Sequence, residues 1–127
     1  MVNEGGLQRQ GGGGDLAVEM CIPQVITADA VDTILAAEIA NGVIVYTSFS
    51  AGRNLTTDTA ANILALYPQL NVGESLQVDI SSTAAFAGTF VAGVGVTLKG
   101  RATVPASSHV HVYITKTSAT TVDWLVL

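Results

Sequence analysis

The sequence predicts an all-β protein: a single-domain, jelly-roll-like β-sandwich with one short helix and an extended N-terminal arm. Three observations lead there. The chain has 127 residues, the length of one ordinary domain. About eight short stretches have strand-like patterning, several alternating apolar with polar residues at the period of two that gives a strand one buried and one polar face. Glycine, proline and asparagine interrupt those stretches at close spacing, as in two-sheet architectures.

The elements follow in order. Gly5, Gly6 and the run Gly11 to Gly14 sit among polar residues. Such a composition buries too little apolar area to offset its ordering entropy, so residues 1–40 are expected to form an arm and residues 41–127 the body. Within the arm, Leu16, Val18 and Met20 alternate with Ala17, Glu19 and Cys21, a short strand before Pro23, and Val25 and Ile26 suit another extended piece. Thr33 to Ile39 and Val43 to Phe49 flank Ala40-Asn41-Gly42. Asn-Gly between two β-prone runs predicts a hairpin, because both turn residues need positive φ.

A helix is expected next, capped by Thr56 or Thr57, with Asp58 in its first turn and Ala60, Ile63, Leu64 and Tyr67 on one face; Pro68 ends it. Leu76, Val78 and Ile80 then alternate with Gln77, Asp79 and Ser81. Thr89 to Ala92 leads through a tight turn at Gly93 to Gly95 into Val96 and Leu98, and Gly100 breaks that run. Arg101 to Val104 is short and ends at Pro105. Val110, Val112 and Ile114 alternate with His109, His111 and Tyr113, and Val122, Trp124 and Val126 with Asp123, Leu125 and Leu127.

Composition excludes several functions. The most apolar window, Thr33 to Ala51, holds Glu38 and the Asn41-Gly42 turn signal, so no membrane span is expected. The N-terminus lacks the basic and apolar regions of a secretory signal. Net charge is −5, and Arg9, Arg53, Lys99, Arg101 and Lys116 form no basic run, which argues against a nucleic-acid partner. Cys21 is the one cysteine, so no internal disulfide is possible, and its apolar neighbours read it as a small hydrophobe. Only 12% of residues are charged, against about 25% in a typical domain, while mean hydropathy is +0.49. A surface with so little charge suits a subunit largely covered by partners.

Chemistry finds little foothold. His109 and His111 share one face of a strand, about 6.6 Å apart along the chain, and two imidazoles so placed can approach one metal. Catalytic zinc normally takes a third protein ligand, and the chain has no further histidine. The cupin family adds a glutamate a few residues later, where this chain has Thr115 and Lys116. No metal or other cofactor is therefore expected. Ser48 to Gly52 lacks the first glycine of a nucleophile elbow. Gly93-Val94-Gly95-Val96-Thr97 continues with Leu98 and a strand, where a phosphate loop needs glycine and a helix. Asp29 and Asp32 read as turn caps. Enzymatic activity is not expected.

Two stretches carry a family resemblance: Arg53-Asn54-Leu55-Thr56-Thr57-Asp58-Thr59-Ala60-Ala61-Asn62-Ile63 and Phe90-Val91-Ala92-Gly93-Val94-Gly95-Val96-Thr97-Leu98-Lys99-Gly100, with a Gly73-Glu74-Ser75 turn and the Leu76 to Ile80 strand between them. Over residues 43–127 this order resembles small structural proteins of tailed phages, many of them capsid decoration or cement proteins. The resemblance implies a virion protein on the outer capsid surface that stabilises the shell across capsomer boundaries. A homotrimer suits that role, since linked contacts gain avidity on a repeated lattice. Its partners would be itself and the major capsid protein. Leu7, Gln8, Arg9, Leu16, Val18 and Met20 are then the expected capsid contacts of the arm. Tyr46, Tyr113 and Trp124 are the expected trimer contacts, because aromatics concentrate at interfaces. Similar modules occur in phage tail fibres, so the alternative is a receptor- or glycan-binding module.

Overall fold

A computed structural model describes residues 22–127. Ten strands and two short helices follow in the order β1 (Gln24–Ile26), β2 (Asp32–Ile34), α1 (Ala36–Ile39), β3 (Val43–Tyr46), β4 (Arg53–Thr57), α2 (Ala60–Ala65), β5 (Ser75–Ser82), β6 (Gly88–Val91), β7 (Val96–Gly100), β8 (Thr103–Val104), β9 (Ser108–Lys116) and β10 (Val122–Val126). The strands form two sheets, one of six in the order β1-β3-β5-β9-β10-β7 and one of four in the order β2-β4-β6-β8. The expected strand Leu16 to Met20 lies outside the described residues.

From β1 to β6 the chain changes sheet at every step. Successive strands of one sheet therefore run the same way: β1, β3 and β5 pair in parallel, and so do β2, β4 and β6. These strands wind like three turns of a flattened coil. Antiparallel pairing enters late, where β9 inserts between β5 and β10 and where β8 caps β6; β7 closes the large sheet parallel to β10. The all-β, two-sheet expectation holds. The antiparallel neighbours that a jelly roll requires do not describe this pairing.

The expected hairpin at Asn41-Gly42 is corrected for a local reason. Ala36, Ala37 and Glu38 are good helix formers, and the Glu38 carboxylate accepts a bond from the Leu35 N–H at 2.9 Å. One turn of helix forms there, and Gly42, at φ 84°, leads out of it. The flanking strands β2 and β3 fall in different sheets. The turn at Gly93 to Gly95 likewise crosses from one sheet to the other. Helix α2 starts later than Thr56 or Thr57 because both remain in β4; the cap is Thr59, whose Oγ1 accepts from the Asn62 N–H at 3.2 Å. Ala60, Ile63 and Leu64 are buried as expected.

The core lies between the sheets. Ile44, Val78, Ile80, Val110, Val112, Ile114, Val122 and Val126 face inward from the large sheet towards Ile34, Leu55, Phe90 and Val104 of the small one. Trp124 spans the gap, its ring centroid 5.9 Å from that of Phe90. Tyr46 stacks on Phe49 at 5.1 Å and donates its hydroxyl to Asp32 Oδ2 at 2.8 Å. Burial first, then that bond, keeps the phenol protonated well above its ordinary range.

Two carboxylates tie loops to this frame. Asp29 accepts the Ser50 hydroxyl, the Ser50 N–H at 3.0 Å and Arg53 Nη2 at 2.8 Å. Its pKa falls to about 2, with the Ser50 hydroxyl the largest cause. Asp58 joins the two helix starts: Oδ2 accepts the Ala36 N–H, while Oδ1 accepts the Thr59 N–H and Asn62 Nδ2, each at 2.8 Å. Burial pushes the Asp58 carboxyl up, but the bonds from Ala36, Asn62 and Thr59 outweigh it and hold the pKa below the usual carboxylate range.

Hydrogen bonds to charged groups contribute about 1.5–3 kcal/mol, so Asp58→Ala is expected to lose about 2–3 kcal/mol of stability at neutral pH. A lowered folded pKa means the contribution is present above the ordinary carboxylate pKa and fades as pH falls through the folded one. The gap between variant and wild type in urea unfolding should therefore narrow on acidification, and a pH-independent gap would contradict the assignment.

Candidate functional site

Strand alternation sets what each sheet shows to solvent. On the small sheet the outward positions are Thr33, Asn54, Thr56, Thr89, Val91 and Thr103, none of them charged. The large sheet has a wider outward face. Register places Val25 beside Val45, Val45 beside Ser81 and Ser81 beside His109; in the next row Val43, Asp79 and His111 are neighbours, and His111 exchanges backbone bonds with Leu127. A third row runs Gln77, Tyr113, Leu125, Lys99.

The histidine pair sits in the middle of this face. As the alternation predicts, His109 and His111 point the same way, away from buried Val110 and Val112. Their rings meet edge to face with centroids 5.6 Å apart. His111 Nδ1 lies 2.6 Å from Asp79 Oδ1. Burial raises the Asp79 carboxyl, but the bond to His111, then that from Gln77, and the nearby imidazoles bring it below the usual range. Beside His109 is a shallow, open depression of about 360 Å³ lined by Ser81, Ser82, Thr83, Ser107, Ser108 and His109. Ser107, at φ 50°, holds the loop entering β9 through its N–H to Ala84 O at 2.9 Å.

Each charged side chain on these faces has a bonding partner. Lys99 Nζ contacts Asp123 Oδ2 at 2.8 Å and Asp79 contacts His111, which accounts for each Lys, Arg, Asp or Glu at an outward position of either sheet. These partnered groups leave a charge-poor and partly apolar surface, with Val43, Val45, Tyr113 and Leu125 half-buried and Val25 and Leu127 exposed.

The aromatic residues expected at a trimer contact separate into two groups. Tyr46 and Trp124 are fully buried inside the single chain at 0% exposure, so neither side chain has surface to offer a partner; this corrects the expectation for those two. Tyr113 lies half-exposed on the outward face between Gln77 and Leu125. Leu7, Gln8, Arg9, Leu16, Val18 and Met20 lie outside the described residues. Sequence reasoning missed Asp79 as the partner of His111. The two are 32 residues apart, and only the β5–β9 register joins them.

Among the described residues, no group of three His, Cys, Asp or Glu side chains is placed to hold a metal ion, and no helix is long and apolar enough to cross a membrane. The fold and this face define a two-sheet β protein with a broad, charge-poor surface. Comparison with protein-family models, curated proteins and solved structures returns no match.

Proposed function

We propose that this chain is a structural virion protein, a head decoration protein that binds the outer capsid surface as a homotrimer and stabilises the shell across capsomer boundaries. The observation that carries the reading is the scarcity of unpartnered charge on the outward sheet faces: the small sheet shows no charged residue there, and on the large sheet Asp79, Lys99 and Asp123 each have a bonding partner. Close packing against protein strips water from whatever it covers, and unpaired charges make that costly. Here the covered surface would be threonine, valine, tyrosine and leucine, with Asp79 and Asp123 already bonded to His111 and Lys99. The motif order in residues 43–127 supplies the phage assignment, and the glycine-rich segment, outside the described residues, is assigned the capsid contact.

Co-sedimentation with purified heads lacking this protein tests the reading. The full chain should pellet with heads, and a variant lacking residues 1–20 should not, while both scatter light as trimers of about three chains. Failure of the full chain to pellet overturns the decoration role. A second reading, a glycan-binding module of a tail fibre, draws on the hydroxyl-lined depression beside His109; labelling of intact virions at the tail tip instead of the head would favour it.

A further inference from the structure

We propose that His109 and His111 form a two-imidazole binding site for a divalent transition-metal ion, with Asp79 positioning His111 for the metal. The sequence supplies the pair, and the fold adds what makes it a site. Both rings stand on the open face of β9, already edge to face with centroids 5.6 Å apart. Asp79 Oδ1 lies 2.6 Å from His111 Nδ1. A proton shared along that contact leaves the Nε2 lone pair for a cation, the arrangement in which a carboxylate orients a metal-bound histidine and raises its basicity. The His109 imidazole makes no hydrogen bond to the described residues, so the ring can turn towards a metal held about 2.0–2.1 Å from one nitrogen of each imidazole.

The surroundings favour a cation. In the two rows around the pair the neighbours are Val25, Val45, Ser81, Val43, Asp79 and Leu127, with no lysine or arginine. Lys116, at the far end of β9, donates its Nζ to Leu70 O at 3.0 Å, and Lys99 lies two strands away, engaged by Asp123. Among the described residues no third side chain is placed as a direct ligand, and water completes the coordination. That predicts an ion-binding site and no dedicated catalytic zinc. Imidazole selects borderline ions such as Zn²⁺, Ni²⁺ and Cu²⁺ over Mg²⁺, which prefers oxygen ligands.

Calorimetric titration of the full chain with ZnCl₂, NiCl₂ and MgCl₂ tests the proposal. One Zn²⁺ or one Ni²⁺ per chain is expected, with no Mg²⁺ uptake. The double variant His109→Ala/His111→Ala should lose the binding, and both positions are exposed, so its circular dichroism should match wild type. Asp79→Asn should weaken Zn²⁺ by about 10-fold or more. The ¹⁵N shifts of the His111 ring should report a proton on Nδ1 in wild type and a changed tautomer population in Asp79→Ala, a signature that a merely structural aspartate would leave unmoved. Zn²⁺ binding that survives in the double variant overturns the site. Unchanged affinity in Asp79→Asn overturns the role of Asp79.

Discussion

Replacing Trp124 with alanine is expected to destabilise the protein by about 3–5 kcal/mol, the range for emptying a large aromatic from a core. The ring is fully buried, projects from the middle of β10 and reaches Phe90 of the opposite sheet. Its removal opens a void between the sheets that rigid strands on both sides cannot close. The indole also carries a handicap: Nε1 is buried without a hydrogen-bond partner among the described residues. An unsatisfied buried donor costs about 1–3 kcal/mol, so Trp124→Phe, which removes that donor and keeps most of the ring, should lose only about 1–2 kcal/mol. Urea unfolding of both variants separates the contributions. A phenylalanine variant as unstable as the alanine one would mean that the indole N–H is bonded after all.

The second large effect is expected at Gly93. A β-carbon there would stand 2.4 Å from Thr57 O and 2.6 Å from Asp58 O. Both are backbone atoms at the end of β4 and cannot turn aside as a side-chain tip could. The Gly93 N–H also donates to Thr57 Oγ1 at 2.8 Å, so moving the loop away breaks a bond while relieving the clash. Gly93→Ala is therefore expected to lose about 3 kcal/mol or more, at the severe end of single substitutions. Gly73→Ala provides the contrast: its added methyl meets nothing within 4 Å, and only its φ of 92° is unfavourable. Equal thermal shifts in the two variants would show that close approach is not what the Gly93 position requires.

The glycines of the Phe90 to Gly100 motif thus have a packing reason. Gly95, at φ 80°, lies against Ala60 and Thr120 O, and Gly100, at φ 78°, against Val126 O. The sequence order shows that glycine is used here; the reason lies in distant strands.

Legibility followed how local each signal was. Strands β5, β9 and β10 announce themselves because one face of each is buried and the other wet, which writes a period of two into the residues. That same alternation already puts Trp124 in phase with Val122 and Val126, and Tyr46 in phase with Ile44. The general preference of aromatics for interfaces was the weaker argument at both positions. Strand β4 was obscured because Thr56 and Thr57 serve equally as strand residues and as helix caps, and the helix that follows drew the boundary forwards. Parallel pairing left no local trace: nothing near Val43 names Asp79 as its neighbour. The histidine pair was visible as a spacing, whereas its carboxylate partner emerged only from the β5–β9 register.

The flattened coil of β1 to β6 also sets how the chain must fold. Each parallel pair joins strands separated by a full excursion through the other sheet, so loop-closure entropy is lost before any ladder bond repays it. Hairpin β9–β10 is the local exception, closing over residues 117–121. An early hairpin with late, long-range coil closure gives a high contact order, and folding at the slow end for a domain of this size. Until the coil closes, the long flank of β9 that will receive β5 stands open, and during that interval the chain is most exposed to pairing with another copy of itself.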